Sequence, residues 1–285
     1  MDTLEIETHI SPNQISFDFE GGDLKEESLL FTETLIKPLN HEYIKDEVLF
    51  VVVRVQNKLL AKDLPSLKIC GKKMVDWVLL AGSCCEEIVI EDCEDIINRV
   101  RSINTDKKYI ALFYSDTPLL DKATFFMIMD YFASRSMNFL QLTRGFVVKT
   151  DFLKNNPNFI TSSAGGNDIA DLLICDCANN LVKTQETLNE RITNYHIKNG
   201  VTIFGRNTVF IDADVEIDSG VVIYPNNILK GECIISAGTI IESGNIIENS
   251  IVLNDCEIKG SYIKDSKITQ GKKIDYGNKI VKEVW

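Results

Sequence analysis

The residues with the widest chemical reach in this 285-residue chain are its eight cysteines and three histidines, and their spacing argues against the obvious uses. Cys84 and Cys85 are adjacent, Cys175 and Cys177 are one residue apart, and the others are scattered. With no C-x-x-C pair and no Cys/His cluster, a structural zinc site is not expected. Buried thiols in a reducing compartment are the expectation instead. Of His9, His41 and His196, the last lies in a helical stretch and is expected to be packed or hydrogen-bonded there, not catalytic. Fixed charges in two loops remain. One loop follows the apolar run 48–53 and carries Arg54, Lys58 and Lys62, cations that could neutralise phosphates. The other follows the run 109–114 and carries Asp116, just before Thr117-Pro118. A carboxylate there can act as a turn residue and cap a helix that starts near Asp121.

Elements must hold those loops. The β-branched run 48–53 reads as a strand buried on both faces. A helix over 74–80, a strand over 87–90, a helix over 92–101, a strand over 109–114, a helix over 121–134 and one or two strands within 138–149 follow. Such alternation predicts βαβ units and a mostly parallel sheet. Ligands bind beyond the carboxyl ends of strands in such sheets, which is where the two loops lie. Residues 1–46 are acidic, with one strand predicted over 14–19 and no assignable role. A helix is predicted over 188–198, with Leu188, Ile192, Tyr195 and Ile197 on one face and Gly200 ending it.

Beyond that helix the chain repeats. From 207 to about 260 it divides into hexads without a gap, and the fifth place holds Ile or Leu in eight of nine, from Ile211 and Ile217 to Leu253, with Lys259 the exception. The third place is mostly small or β-branched, and Gly, Asn, Asp and Ser crowd the first two. Side chains two apart on a strand share a face, so places three and five point inward while the polar pair turns the corner. Three hexads close a triangular coil of 18 residues, which predicts a short left-handed parallel β-helix of about three coils. Asn227 and Asn245 are 18 apart and are predicted to stack inside, sharing amide hydrogen bonds. Ile217, Ile235 and Leu253 are predicted on one interior line, with the last residues capping or extending the open end.

Composition narrows the function classes. Hydrophobic residues make up 45% of the chain, which fits a folded protein. A formal net charge of −12 disfavours nucleic acid and anionic membranes. The densest cationic stretch is Lys72-Lys73. No apolar run reaches membrane-spanning length, and Met1-Asp2-Thr3-Leu4-Glu5 lacks the pattern of a signal peptide, so a cytoplasmic location is expected.

The stretch 188–203, from Leu188-Asn189-Glu190-Arg191 to Val201-Thr202-Ile203, followed by Thr208-Val209-Phe210-Ile211-Asp212, resembles the junction in the bifunctional UDP-N-acetylglucosamine pyrophosphorylase / glucosamine-1-phosphate acetyltransferase family. Asp63-Leu64-Pro65 with Gly71-Lys72-Lys73-Met74 resembles that family's D-L-P-K and G-K-P-M segment, and Ser115-Asp116-Thr117-Pro118-Leu119-Leu120 resembles its G-D-x-P-L-L motif. The resemblance implies an N-terminal 1–46 segment, a degenerate nucleotidyltransferase-like α/β domain over 47–186, a linker helix over 187–200 and a left-handed β-helix with a C-terminal cap over 201–285. It implies Asp116 as a ligand of catalytic Mg²⁺, Asp168 or Asp171 as candidates for the second, and a homotrimer packed through the β-helix.

Departures qualify the activity. The family's glycine-rich phosphate loop corresponds here to Val53-Arg54-Val55-Gln56-Asn57-Lys58-Leu59-Leu60, which has no glycine, and Leu59 stands in the place of its Arg. Ser66 replaces the Lys after Pro65. The β-helix has no His to act as a general base, so acetyl transfer is not expected. Two functions follow: a divergent Mg²⁺-dependent sugar-1-phosphate nucleotidyltransferase with activity reduced or lost, or a non-catalytic nucleotide-sugar-binding or assembly protein. Nucleotides or sugar phosphates are the expected ligands.

Overall fold

The computed structural model describes residues 42–55, 67–159 and 172–285. The strand predicted over 14–19 lies outside them, as do Lys58, Lys62, Asp168 and Asp171.

The α/β lobe begins with α1 (Glu42–Glu47), whose Ile44 is fully buried, and runs directly into β1 (Val48–Arg54). A two-strand hairpin, β2 (Lys68–Ile69) and β3 (Lys72–Lys73), leads into α2 (Met74–Ala81) and then β4 (Glu86–Glu91). Next come α3 (Ile96–Arg101), β5 (Tyr109–Tyr114), α4 (Lys122–Ser134), β6 (Phe139–Leu142), β7 (Gly145–Lys149) and α5 (Thr150–Asn155). The sheet order is β4-β1-β5-β7-β6. β4, β1 and β5 are parallel, and the β6–β7 hairpin adds antiparallel. The sheet is therefore mixed. The predicted helix over 92–101 starts only at Ile96, because the Asp95 side chain accepts from the Asn98 N–H and caps it there.

Alternation along β1 sorts the layers. Val48, Phe50 and Val52 face α2 and α4, while Leu49, Val51 and Val53 face α3 and α5. Phe50 stacks on Phe113 at 5.2 Å and meets Phe125 edge-on at 5.0 Å. A strand with a helical layer on each side has no room for polar side chains, which is why 48–53 is apolar throughout.

Helix α6 (Ala178–Lys198) is longer than the predicted 188–198 and joins the lobes. Its buried face is Leu188, Asn189, Ile192, Thr193 and His196, whereas Ile197 is exposed and Tyr195 only half-buried. Asn189 closes the open edge of the first coil: its Nδ2 donates to the Val209 carbonyl at 2.9 Å and its Oδ1 accepts from the Ile211 N–H at 3.2 Å. The β2–β3 hairpin docks on the same coil. The Ala213 N–H donates to the Cys70 carbonyl at 3.0 Å, and Lys72 pairs with Asp214. Gly71 has φ +84°, and an added Cβ would sit 2.9 Å from Asp212, so both backbone and space require glycine. Ile69, Met74, Trp77, Leu188 and Ile192 share one core with Val209 and Ile211 of the β-helix.

His196 sits in that junction with its Nε2 buried and without a partner among the described residues. Burial lowers its pKa to about 4. A depressed histidine pKa means the unfolded chain binds the extra proton first, so stability is full above pH ~6.5 and is lost as pH falls toward 4. The expected loss is about 3 kcal/mol, from roughly 2.5 pKa units. Urea titrations between pH 7 and 4 check it. His196→Leu should flatten that window, and an unchanged slope would assign the pH dependence to other groups.

From Thr202 the chain winds into strands of two or three residues that stack as three parallel sheets, a β-helix. Ile211, Ile223, Leu229, Ile235, Ile241 and Ile247 are buried as predicted. The register then departs from strict hexads. Ile234 pairs with Ile251, 17 residues on, and Ile246 pairs with Tyr262, 16 on. Three sides have five residues: 249–253, 260–264 and 265–269. Each opens with a positive-φ residue, Asn249, Gly260 or Asp265. Each then buries a serine, Ser250, Ser261 or Ser266, whose hydroxyl donates to the carbonyl two residues back at 2.6–2.7 Å. One left-handed residue turns the corner, so the inward residues are Val252 and Ile258, not Leu253 and Lys259. The interior line is Ile217, Ile235, Val252 and Ile268. The column continues past the predicted three coils through Lys279–Val281, so the last residues extend it.

The two asparagines stack inside as predicted. Asn227 and Asn245 are both 0% exposed, and the Asn245 amide donates to Asn227 Oδ1 at 3.0 Å. The Ser261 N–H donates to Asn245 Oδ1 at 2.8 Å and carries the ladder one coil further.

Candidate functional site

The carboxyl ends of β1 and β5 lie side by side at the centre of the sheet. The helices that follow them, α2 and α4, pack on one face of the sheet, and ligands in open α/β sheets bind beyond such carboxyl ends. The β5 end is tied to β1: the Ser115 N–H donates to the Val53 carbonyl at 2.9 Å, and Ser115 Oγ accepts from the Val55 N–H at 3.0 Å. Asp116 comes next and is 3% exposed. Its carbonyl accepts from the Cys175 N–H at 2.8 Å, which holds the segment leading into α6 against this end of the sheet.

Arg144 completes the site, and sequence reading missed it. It sits at the tip of the β6–β7 hairpin, one residue before Gly145, which pairs with Phe113. Gly145 has φ +126°, and a Cβ there would lie 2.2 Å from the Leu112 carbonyl oxygen. Only glycine lets the hairpin cross so close to β5 and set Arg144 beside Asp116. The guanidinium grips both carboxylate oxygens, Nη2 to Oδ2 at 2.7 Å and Nε to Oδ1 at 3.1 Å. It also lies over the Tyr114 ring, 4.0 Å from the centroid. Burial works against the charge on Arg144, yet the Asp116 bond and charge push its pKa above the ordinary arginine value. The only signal in the sequence was Gly145 after a two-residue hairpin tip, and it has meaning only once β7 is known to pair with β5.

Asp116 does not cap the following helix. Asp121 does, accepting from the Thr124 N–H at 2.8 Å. Asp121 also faces Arg191 of α6 at 3.5 Å, and Arg191 donates to the Leu119 carbonyl at 3.0 Å. Arg54 lies at the end of β1 but pairs with Glu91 at 3.0 Å, both well exposed. The structure thus brings Asp116 and Arg54 to neighbouring strand ends. A separate recess of about 490 Å³, lined by residues such as Glu94, Arg101 and Phe159, includes none of the predicted site residues.

A Mg²⁺ ion needs hard oxygen ligands with free lone pairs. Both Asp116 oxygens already face a guanidinium, and among the described residues no group of three or more His, Cys, Asp or Glu could hold a metal. In this arrangement the described residues do not fit the ion. The eight thiols are all free: Cys70, Cys175, Cys233 and Cys256 are buried, Cys84 and Cys85 half-buried, and Cys93 and Cys177 exposed, so burial covers only half of them. Among the described residues, no helix is long and apolar enough to cross a membrane.

No protein-family model matches this chain, and no curated protein matches it. Among solved structures the chain is similar to the crystal structure of Rv0371c from Mycobacterium tuberculosis H37Rv, at 11% identity over 49% of this chain and 97% of that one. The TM-score is 0.38, a likeness too slight to carry an argument about activity.

Proposed function

We propose that this chain is a divergent sugar-1-phosphate nucleotidyltransferase-like protein that has lost metal-dependent transfer. Its α/β lobe serves as a non-catalytic binder of a nucleotide or sugar phosphate, and a left-handed β-helix assembles it as a homotrimer. The observation that carries this reading is the Asp116–Arg144 pair. A carboxylate gripped at 2.7 and 3.1 Å by a fixed cation has its charge already balanced, and the guanidinium repels a divalent ion from the carboxyl end of β5. A guanidinium whose charge Asp116 balances binds a phosphate oxygen by its N–H donors rather than by net charge, and without turnover. The absence of glycine after β1 agrees, because backbone cannot approach a phosphate closely without it. Assembly is supported by outward apolar residues down one β-helix face: Phe210, Ile228, Ile246 and Tyr262 stand in one row across successive coils.

The test is incubation with UTP, Mg²⁺ and N-acetylglucosamine-1-phosphate with pyrophosphate measured, beside a thermal-shift panel of nucleotides and nucleotide sugars. The expected result is no pyrophosphate and a stabilising shift with at least one ligand. Turnover abolished by Asp116→Ala would overturn the loss of transfer. No shift with any ligand would overturn the binder.

A further inference from the structure

Cys84 and Cys85 lie in the turn between α2 and β4, on neither of the strand ends that carry Arg54 and Asp116. In extended chain, adjacent side chains point to opposite faces. Here the turn, closed by the Cys85 N–H donating to the Gly82 carbonyl at 2.7 Å, sends both to one side. The two sulfurs come within 3.7 Å of one another, and Cys85 Sγ also reaches the Ile44 carbonyl at 3.6 Å. Both residues are half-buried, so each is accessible on one side and fixed on the other. Among the described residues no other two thiols approach in this way.

Magnitudes decide what such a pair can hold. A disulfide needs sulfurs at about 2.05 Å and Cα atoms usually at least about 4.4 Å apart, whereas neighbouring Cα atoms across a trans peptide are about 3.8 Å apart. Direct oxidation would strain the turn. A bridging atom needs no such closure. Two bonds of about 2.3 Å to sulfurs 3.7 Å apart subtend about 107° at the bridging atom, close to a tetrahedral angle. We propose that Cys84 and Cys85 form a two-sulfur chelate for a thiophilic centre, a trivalent arsenical or a soft d¹⁰ cation. With an arsenical oxide two As–S bonds form, the two thiol protons leave with the oxide oxygen as water, and no electrons are transferred. With a divalent cation the two protons pass to solvent. The hydrogen bond from the Cys85 thiol, with help from the Lys122 charge, lowers Cys84 to about 7 despite burial, so one sulfur is ready as thiolate near neutrality. The same bond and burial raise Cys85.

The experiment treats the reduced full chain with phenylarsine oxide or Cd²⁺ in separate arms. Intact mass, the thiolate-to-metal ultraviolet band and the number of thiols still open to alkylation are followed. The expected result is one centre per chain, loss of two of the eight thiols, and release by a dithiol but not by a monothiol. Peptide mapping of the parent protein should place the bridge at Cys84-Cys85. Cys84→Ser and Cys85→Ser should each abolish it while circular dichroism is unchanged. Bridging by phenylarsine oxide alone assigns the site to arsenicals, and a Cd²⁺ band alone assigns it to soft cations. Release by a monothiol, a bridge mapped elsewhere, or failure of both probes would overturn the chelate without bearing on the nucleotide reading.

Discussion

Arg144→Met is expected to destabilise the fold by about 3 kcal/mol at neutral pH, toward the lower end of what breaking a buried ion pair costs. The reason lies with the partner left behind. Asp116 is 3% exposed, so without the guanidinium its charge is buried and uncompensated. The Arg144 side chain is 30% exposed, which is why the lower end applies. Two further outcomes separate this from a general packing defect. A lone buried carboxylate has its pKa raised in the folded state, so the folded chain takes up the extra proton and the deficit should shrink as pH falls into the carboxylate range. The double variant Asp116→Leu, Arg144→Met should recover most of the loss, because no charge remains to be solvated. Urea unfolding of the three variants at two pH values reads all of this. Parent-like stability of Arg144→Met would mean that the pair does not organise this end of the sheet. Recovery of Arg144→Met by added Mg²⁺ alone would show instead that the carboxylate, once freed, takes a metal.

The strands of the α/β lobe were legible because β1 and β5 must be apolar on both faces, and few other structures leave such runs. The end of each run marked the loop where Arg54 and Asp116 sit. What sequence could not supply was the third side of the site. Arg144 is 28 residues from Asp116 and reaches it only through antiparallel pairing of β7 on β5. Nothing local distinguishes an arginine at a hairpin tip from a solvated one. The linker helix shows the same limit. Leu188 and Ile192 announced the buried face, but Asn189, Thr193 and His196 share it. Asn189 is buried because it replaces a strand that the first coil lacks, a demand set by the fold and invisible in a polar residue's type.

The repeat was legible in period and not in phase. Ile and Leu at every sixth residue follow from the flat sides of the column, and phase is lost where a side shortens to five. Asn249-Ser250, Gly260-Ser261 and Asp265-Ser266 mark those corners: a residue tolerant of positive φ, then a serine small enough to face inward with its hydroxyl bonded to the chain. A hexad count runs through them and puts Leu253 where Val252 belongs.

Asn245→Leu distinguishes a column held by apolar packing alone from one whose coils are also held by a polar ladder. Leu has the forked shape and heavy-atom count of Asn and is more apolar, so if apolar burial were the whole account the variant would be neutral or more stable. The ladder predicts the opposite sign. The Asn245 side chain accepts from the Ser261 N–H at 2.8 Å and donates to the Glu242 and Ile258 carbonyls at 2.5 and 3.2 Å. Leu satisfies none of these; the Ile258 carbonyl keeps the Glu242 N–H at 2.8 Å, but the Ser261 N–H and the Glu242 carbonyl lose their partner, at about 1–3 kcal/mol each. The expected loss is therefore about 2–4 kcal/mol, from two groups at the lower half of that range, read as a lowered urea midpoint with an unchanged slope. The loss should appear in the β-helix first, as faster amide exchange at Ser261 and Ile246, whose N–H bonds join the third and fourth coils to their neighbours. A parent-like or higher midpoint would mean that water or a shifted corner meets those groups. The aliphatic line from Ile217 to Ile268 would then hold the coils in register by itself.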